Sequence, residues 1–299
     1  MGWLLIYFPI IFIWGIYFLL AAVLFFLKKY HGSKKRRSPF TDKFLRSPGE
    51  SLNRQIMEIN DEIITYFVWV ITAPIMLYST CISMLYFSSL KPSSSTIALI
   101  CILGIGFIIY CFWKLIEMFN KRRRYRLGYE GEIAVGQELN QLMRDGFYVY
   151  HDFFVDKFNI DHIVVGPPGV FAVETKARSK PTSAGPAPDY KVKYNGKSLQ
   201  FPNGADVQAI EQAKGQAEWL SKWLQRAIGE RVWVRPVVAL PGWWVERTAS
   251  GGIPVINPKN FRSIAKPIDG NSLSESMISR IVHQLEQKCR DVEPKTMGK

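Results

Sequence analysis

Two carboxylates and a lysine are set close together by a short stretch of this chain. Asp161 stands in the run Asn159-Ile160-Asp161-His162-Ile163-Val164-Val165, and Glu174-Thr175-Lys176 closes the run that begins at Val170. Gly166-Pro167-Pro168-Gly169 separates them, and two β-rich runs around a four-residue turn signal predict a hairpin. With Val165 opposite Val170 at the mouth of the turn, cross-strand partners have numbers summing to 335, which sets Asp161 directly opposite Glu174. Opposed residues on one face have Cβ atoms about 4.5–5.5 Å apart, and like charges there repel. The pair therefore calls for a positive charge. A divalent cation supplies it, because Mg²⁺ takes a few carboxylate oxygens and keeps several waters. Strand alternation adds Lys176 to the face of Glu174 and turns Thr175 away. His162 falls on the opposite face, beside Phe171 and Val173, which is a structural position.

A third acid comes from the segment before the hairpin. Gly128 to Met143 reads as an amphipathic helix in which Val135, Leu139 and Leu142 share one face. Stepping back three residues along that face reaches Glu132, whereas Glu130 lies about 140° away and, like Glu138, faces solvent. An acid on an inward stripe needs a partner, since an unpaired buried charge is costly. The first turns of a helix also favour an acid through the dipole.

The spacing Asp161…Glu174-Thr175-Lys176, led by a helix carrying Gly131-Glu132, resembles the PD-(D/E)xK nuclease superfamily. Within it, residues 160–176, Ile-Asp-His-Ile-Val-Val-Gly-Pro-Pro-Gly-Val-Phe-Ala-Val-Glu-Thr-Lys, are similar to the nuclease-related domain, NERD. The resemblance runs from about Arg126 to Trp244. It implies an α/β, restriction-endonuclease-like mixed sheet flanked by helices, with an α-β-β-β-α-β core. It also implies hydrolysis of phosphodiester bonds in DNA with Mg²⁺ or Mn²⁺. On that reading Asp161 and Glu174 hold the ion and Glu132 ligates it directly or through water. Lys176 positions the attacking water or stabilises charge on the phosphoryl oxygens. Gln212, with Gln216 one turn on, is implied to lie near the carboxylates and substrate, although Gln208, Gln212 and Gln216 also suit an ordinary polar helix face. Pro167-Pro168 and the Pro/Gly/Ser-rich stretch Ser179–Asp189 depart from the pattern without removing a candidate residue. Two other readings use the same fold: a module that binds nucleic acid or a protein partner at the membrane without cleaving, and a membrane scaffold whose soluble domain contacts protein only.

The rest of the C-terminal half supports the site. Tyr190–Tyr194 and Lys197–Phe201 flank Asn195-Gly196, the favoured two-residue hairpin turn. Asp206 is placed to cap a helix whose Ile210, Ala213, Ala217, Leu220 and Leu224 form an apolar stripe. Arg231–Leu240 and Ile253–Ile256 are β-rich, and 274–290 reads as a terminal helix. Trp219, Trp223, Trp243 and Trp244 are assigned to packing ahead of base stacking.

The other half of the chain belongs to a membrane. The chain has 299 residues and a formal charge of +13, of which residues 1–126 carry +10 and residues 127–299 only +3. Basicity concentrated beside apolar runs marks the cytosolic side of membrane proteins, and it also attracts anionic headgroups. Residues 1–27 hold no charge, Ile63–Leu90 and Thr96–Trp113 hold none either, and about 20 apolar residues span a bilayer core. Met1-Gly2-Trp3 lacks the positive start of a cleaved signal peptide. The expected organisation is thus an all-α region of three transmembrane helices (1–27, 63–90, 96–119), a basic cytosolic loop at 28–62, a basic linker at 120–127, the nuclease-like domain at 128–265, and a C-terminal helix and tail at 266–299. Nine Lys or Arg in 28–62, one in 91–95 and six in 114–126 place the N-terminus outside and the C-terminal domain in the cytosol of a multi-pass inner (plasma) membrane protein. Cys81, Cys101, Cys111 and Cys289 give neither a disulfide framework nor a metal spacing. The chain also offers no Ser/His/Asp or Cys/His arrangement, which leaves metal chemistry as the route to hydrolysis.

Overall fold

The computed structural model describes residues 42–87, 92–155, 158–181, 190–267 and 272–294, with scattered positions between 11 and 26. The expected first transmembrane helix, apart from those positions, the basic run at 28–37, Lys91 and residues 182–189 of the long loop lie outside the described residues. The chain divides into two compact units, one holding residues 56–123 and the other holding Asp42–Gln55 together with Arg124–Glu293.

Helix α1 (Glu50–Ile82) continues through a π-helical turn (Ser83–Phe87), and helix α2 (Ser94–Asn140) follows; of these, residues 56–123 belong to the first unit, and Glu50–Gln55 and Arg124–Asn140 to the second. Two helices among the described residues are long and apolar enough to cross a membrane, Glu50–Tyr86 and Ser94–Asp145. The described residues therefore carry candidates for two of the three expected spans. The two helices form the hairpin that their short connection requires. Gly104 of α2 packs on Leu77 of α1, where a Cβ would stand 2.7 Å from Leu77 Cδ1. Cys81 Sγ lies 3.7 Å from Cys101 Sγ, and Trp69 meets Phe107 edge-on at 5.8 Å. Small residues are what allow such close helix approach where no hydrophobic force separates helix from lipid.

Both helices overrun the apolar segments. α1 starts at Glu50, inside the stretch expected to be loop, and α2 runs unbroken through 120–127, expected to be a linker. Lys, Arg and Glu are good helix formers, and α2 meets no Pro between Ser94 and Asn140. A helix of 47 residues is far longer than a bilayer core about 30 Å thick at 1.5 Å per residue, so only its apolar first half suits lipid.

The second unit is α/β, with helices on both faces of a five-stranded mixed sheet. Strands β2 (Tyr148–Val155), β3 (Phe158–Gly166) and β4 (Gly169–Thr175) form an antiparallel meander. β8 (Val234–Ala239) joins β4 in parallel, and β10 (Val255–Ile256) joins β8 in parallel. On one face Ala217, Leu220 and Leu224 of helix α3 (Gln208–Ile228) and Ile278, Ile281 and Leu285 of helix α4 (Glu275–Cys289) cover Ile163, Val165, Val170 and Ala172. On the other, Val135, Leu139 and Leu142 cover Val164, Phe171, Val173 and Val237. Period-2 alternation thus serves two cores at once, which is why β4 is buried along its whole length.

A second sheet holds β5 (Lys191–Tyr194), β6 (Leu199–Phe201), β7 (Gly204–Asp206) and β9 (Trp244–Arg247) in the order β7-β6-β5-β9. The turn between β5 and β6 is the expected Asn195-Gly196, with Gly196 at φ +86 and Asn195 Oδ1 accepting from the Ser198 N–H at 2.7 Å. β1 (Phe44–Leu45) pairs with β11 (Arg290–Val292), joining the two ends of this unit's chain.

Candidate functional site

The β3–β4 hairpin has the register read from its turn. Val165 pairs with Val170 and His162 with Val173, so the next position outward sets Asp161 against Glu174. Asp161 shares the face of Ile163 and Glu174 that of Ala172, both looking toward α3. The two acids are 7% and 4% exposed. Asp161 Oδ2 accepts the Thr175 backbone N–H at 2.7 Å. Glu174 Oε2 accepts from Gln216 Nε2 at 2.7 Å, and the same Gln216 Nε2 donates to the Asn159 carbonyl at 3.0 Å.

Glu132 is buried on α2 while Glu130 is exposed and pairs with Arg126, as the helical phase requires. The helix comes this close because Gly131 precedes it: a Cβ there would stand 2.5 Å from Ala177 Cβ. The Gly49 backbone N–H donates to the Glu132 carboxylate, yet Glu132 Oε2 is buried with no hydrogen-bond partner. Gln216 Oε1 is in the same condition.

Electrostatics report the crowding. Burial first, then Asp161, Asp152 and Glu174, push the Glu132 carboxyl up to about 9. Burial pushes Asp161 up to about 7 against the opposing Thr175 N–H, and burial with Asp161 raises Glu174 well above the usual carboxylate range. The acids thus tend to hold protons at neutral pH unless a cation replaces those protons.

Lys176 stands beside the acids, and its charge draws the carboxyls of Asp161 and Glu174 downward. Its direct partner, however, is Asp206, with Nζ to Oδ2 at 3.7 Å. Arg178 Nη2 reaches the same oxygen at 3.6 Å, and Asp206 also accepts from Ala209 N, although the N-cap residue of α3 is Val207 and not the expected Asp206. Of the two glutamines, Gln216 reaches the acids and Gln212 is exposed one turn earlier. The resemblance named Gln212 first. The crossing of α3 over β4 puts Gln216 on the inward stripe with Ala213, Ala217 and Leu220, a phase that glutamine spacing alone does not reveal.

His162 is fully buried on the other face as expected, bonded to His151 Nδ1 at 2.9 Å and to Thr175 Oγ1 at 3.1 Å. Burial holds His151 down at about 4 and His162 well below the usual range, so both are neutral parts of the scaffold. Trp243 is 1% exposed, and Trp219 and Trp223 pack on Phe153, while Trp244 is exposed. Sequence reading passed over Asp152 and Arg46. The signal was available for the first, because extending the antiparallel β2–β3 ladder from His151↔His162 puts Asp152 opposite Asp161.

The donor set is all oxygen, which suits a hard cation such as Mg²⁺ or Mn²⁺. An unpartnered buried carboxylate oxygen on Glu132 fits such a group. Among the described residues no three acidic, His or Cys side chains close around a point to enclose an ion by themselves. An ion here would keep several waters, the coordination Mg²⁺ prefers.

Residues 127–241 match the family NERD, the nuclease-related domain. No curated protein and no solved structure matches the chain.

Proposed function

We propose that this protein is a membrane-anchored, metal-dependent nuclease that hydrolyses phosphodiester bonds in DNA on the cytosolic side. The observation that carries the reading is the burial of the opposed acids Asp161 and Glu174 together with that of Glu132, whose Oε2 has no hydrogen-bond partner, inside a segment that matches the nuclease-related domain. A Mg²⁺ or Mn²⁺ ion held by Asp161, Glu174 and Glu132 would supply positive charge for the phosphoryl oxygens and acidity for activating water. The chain's own groups do the rest. The Thr175 N–H and Gln216 fix the rotamers of Asp161 and Glu174, so little reorganisation is left for the reaction. Lys176 offers an ammonium that can leave its 3.7 Å contact with Asp206 for a phosphate. Arg178 is ready to take over that aspartate.

The anchoring rests on the two apolar helices and on the basic residues flanking them. The test is DNA hydrolysis by full-length protein in detergent with Mg²⁺ or Mn²⁺, beside Glu174→Ala and Lys176→Ala. Loss of about 10²-fold or more in each variant is expected, given the size of a single electrostatic contribution, and unchanged activity in both refutes the assignment. Reporter fusions at Lys91 and Lys299 should read outside and cytosol, and an external C-terminus would refute the topology. The Lys176–Asp206 pair favours, as second reading, a non-cleaving nuclease-fold module that binds nucleic acid or a protein. Metal-independent DNA binding without hydrolysis would select it.

A further inference from the structure

The carboxylates of the central sheet form a row of three. Extending the β3–β4 register outward from His162↔Val173 sets Asp161 against Glu174, and extending the β2–β3 register from His151↔His162 sets Asp152 on its other side. Asp152 is fully buried, and its charge adds to the upward push on both Asp161 and Glu132. It does not share the patch freely, because its backbone sits in the left-handed region at φ +49 and its side chain is saturated from elsewhere. Arg46 Nη1 donates to Oδ2 at 3.1 Å, and Ser51 N and Oγ reach the same oxygen at 2.7 and 2.6 Å. Asn159 Nδ2 holds Oδ1 at 2.8 Å. Arg46 is itself anchored by a two-pronged pair with Asp291, Nε–Oδ1 and Nη2–Oδ2 both at 2.7 Å. Asp is one of the few non-glycine residues whose backbone adopts this conformation, and these bonds fix its side chain there.

The hydrogen bonds continue to the candidate ligands. Asn159 gives its side chain to Asp152 and its carbonyl to Gln216, and Gln216 holds Glu174. From the same N-terminal segment Gly49 donates to Glu132. Arg46, Gly49 and Ser51 all lie in Asp42–Gln55, which packs with this unit although it precedes the matched residues 127–241 by a whole helical hairpin.

We infer that Arg46 is a positioning residue of the acidic site: it neutralises Asp152 and keeps that carboxylate out of the cation position framed by Asp161, Glu174 and Glu132. The inference rests on the metal-dependent reading above. It makes the segment Asp42–Gln55 part of the functional domain, so the matched region alone is an incomplete site.

Charge gives the test a signature that loss of packing does not. Full-length protein in detergent is titrated with Mn²⁺ and the free ion read by electron paramagnetic resonance, with thermal unfolding confirming the fold and kcat and KM for DNA measured in parallel. Arg46→Met releases an uncompensated carboxylate, so Mn²⁺ should bind about three- to tenfold tighter while kcat falls, and Asp152→Asn leaves an uncompensated guanidinium, so Mn²⁺ should bind weaker by a similar factor. Arg46→Met/Asp152→Asn should return the affinity to that of the wild type, and KM for DNA should change little throughout. Whichever single variant folds decides the question by the sign of its shift. A folded single variant with unchanged affinity, or two single variants shifting in one direction, overturns the inference. A wild-type protein that binds and cleaves alongside unshifted variants leaves the nuclease reading standing. A wild-type protein that binds no Mn²⁺ overturns the metal reading, and the role of Arg46 with it.

Discussion

Replacing Glu132 by Gln should stabilise the metal-free protein, by an amount that grows with pH. Glu132 is 6% exposed, and burial with the neighbouring acids raises its carboxyl from the ordinary 4.5 to about 9. Below the ordinary value the group is protonated in folded and unfolded chains alike and has no effect on the balance. Between the two values the folded chain keeps a proton that the unfolded chain has released, so stability falls by about 1.36 kcal/mol per pH unit. Integrated to pH 7 the penalty is about 3 kcal/mol, and Gln, isosteric and always neutral, escapes it. For a unit of this size that is a rise of roughly 6–12 °C in Tm. The assay is thermal unfolding of the full-length protein in detergent and EDTA, followed by Trp fluorescence from pH 5 to pH 8. Asp161 and His151 also titrate near this window, but they are present in both proteins and cancel to first order in the difference. A variant-minus-wild-type difference that is flat or falls with pH refutes the reasoning. Added Mg²⁺ should stabilise the wild type most at pH 8, where the ion displaces the proton, and should stabilise the variant little.

The two glutamines separate by the same measurement. Gln216→Ala leaves a buried Glu174 oxygen without its donor and should cost about 1–3 kcal/mol, whereas exposed Gln212→Ala should stay within about 0.5 kcal/mol of wild type. Gly131→Val drives side-chain atoms into Ala177, where a Cβ would already stand at 2.5 Å, and should destabilise by about 1–3 kcal/mol. Gly215→Ala, on α3 with nothing within 4 Å of its Cβ, should stabilise by about 0.5–1 kcal/mol. A stable Gly131→Val protein would mean that α2 does not approach the hairpin as described.

What could be read from sequence was what depends on local geometry. The pairing of Asp161 with Glu174 follows from one turn and strand period two, and the inward phase of Glu132 follows from 3.6 residues per turn over a few residues. The strand pairing survives because a one-residue slip would turn every side chain of a two-sided buried strand to the wrong core. The choice between Gln212 and Gln216 depends on where α3 crosses β4, which no property of α3 alone specifies. The Lys176–Asp206 contact likewise depends on how β7 docks beside the end of β4. α1 and α2 outran their apolar segments because charge limits what lies in lipid, while helix propensity limits where a helix stops, and the two boundaries need not coincide.

Arg46 makes the same point in its sharpest form. Counted among the basic residues of 28–62, it reads as one more charge marking the cytosolic side of a membrane. In the folded chain its guanidinium side chain is 7% exposed, held by Asp152 and Asp291 at sequence separations of 106 and 245. A buried Arg between two carboxylates carries no topological information, because it meets neither headgroups nor water. Without Arg46, eight Lys or Arg still remain in that stretch against one in 91–95. The consequence for the site is larger. The acids of the second unit are balanced in part by a residue that composition had assigned to the membrane, so the modest charge of residues 127–299 understates how the folded unit is neutralised. The N-terminal segment that carries the balancing charge runs on into the first turns of α1. A change in that short segment should therefore register first at the acidic site.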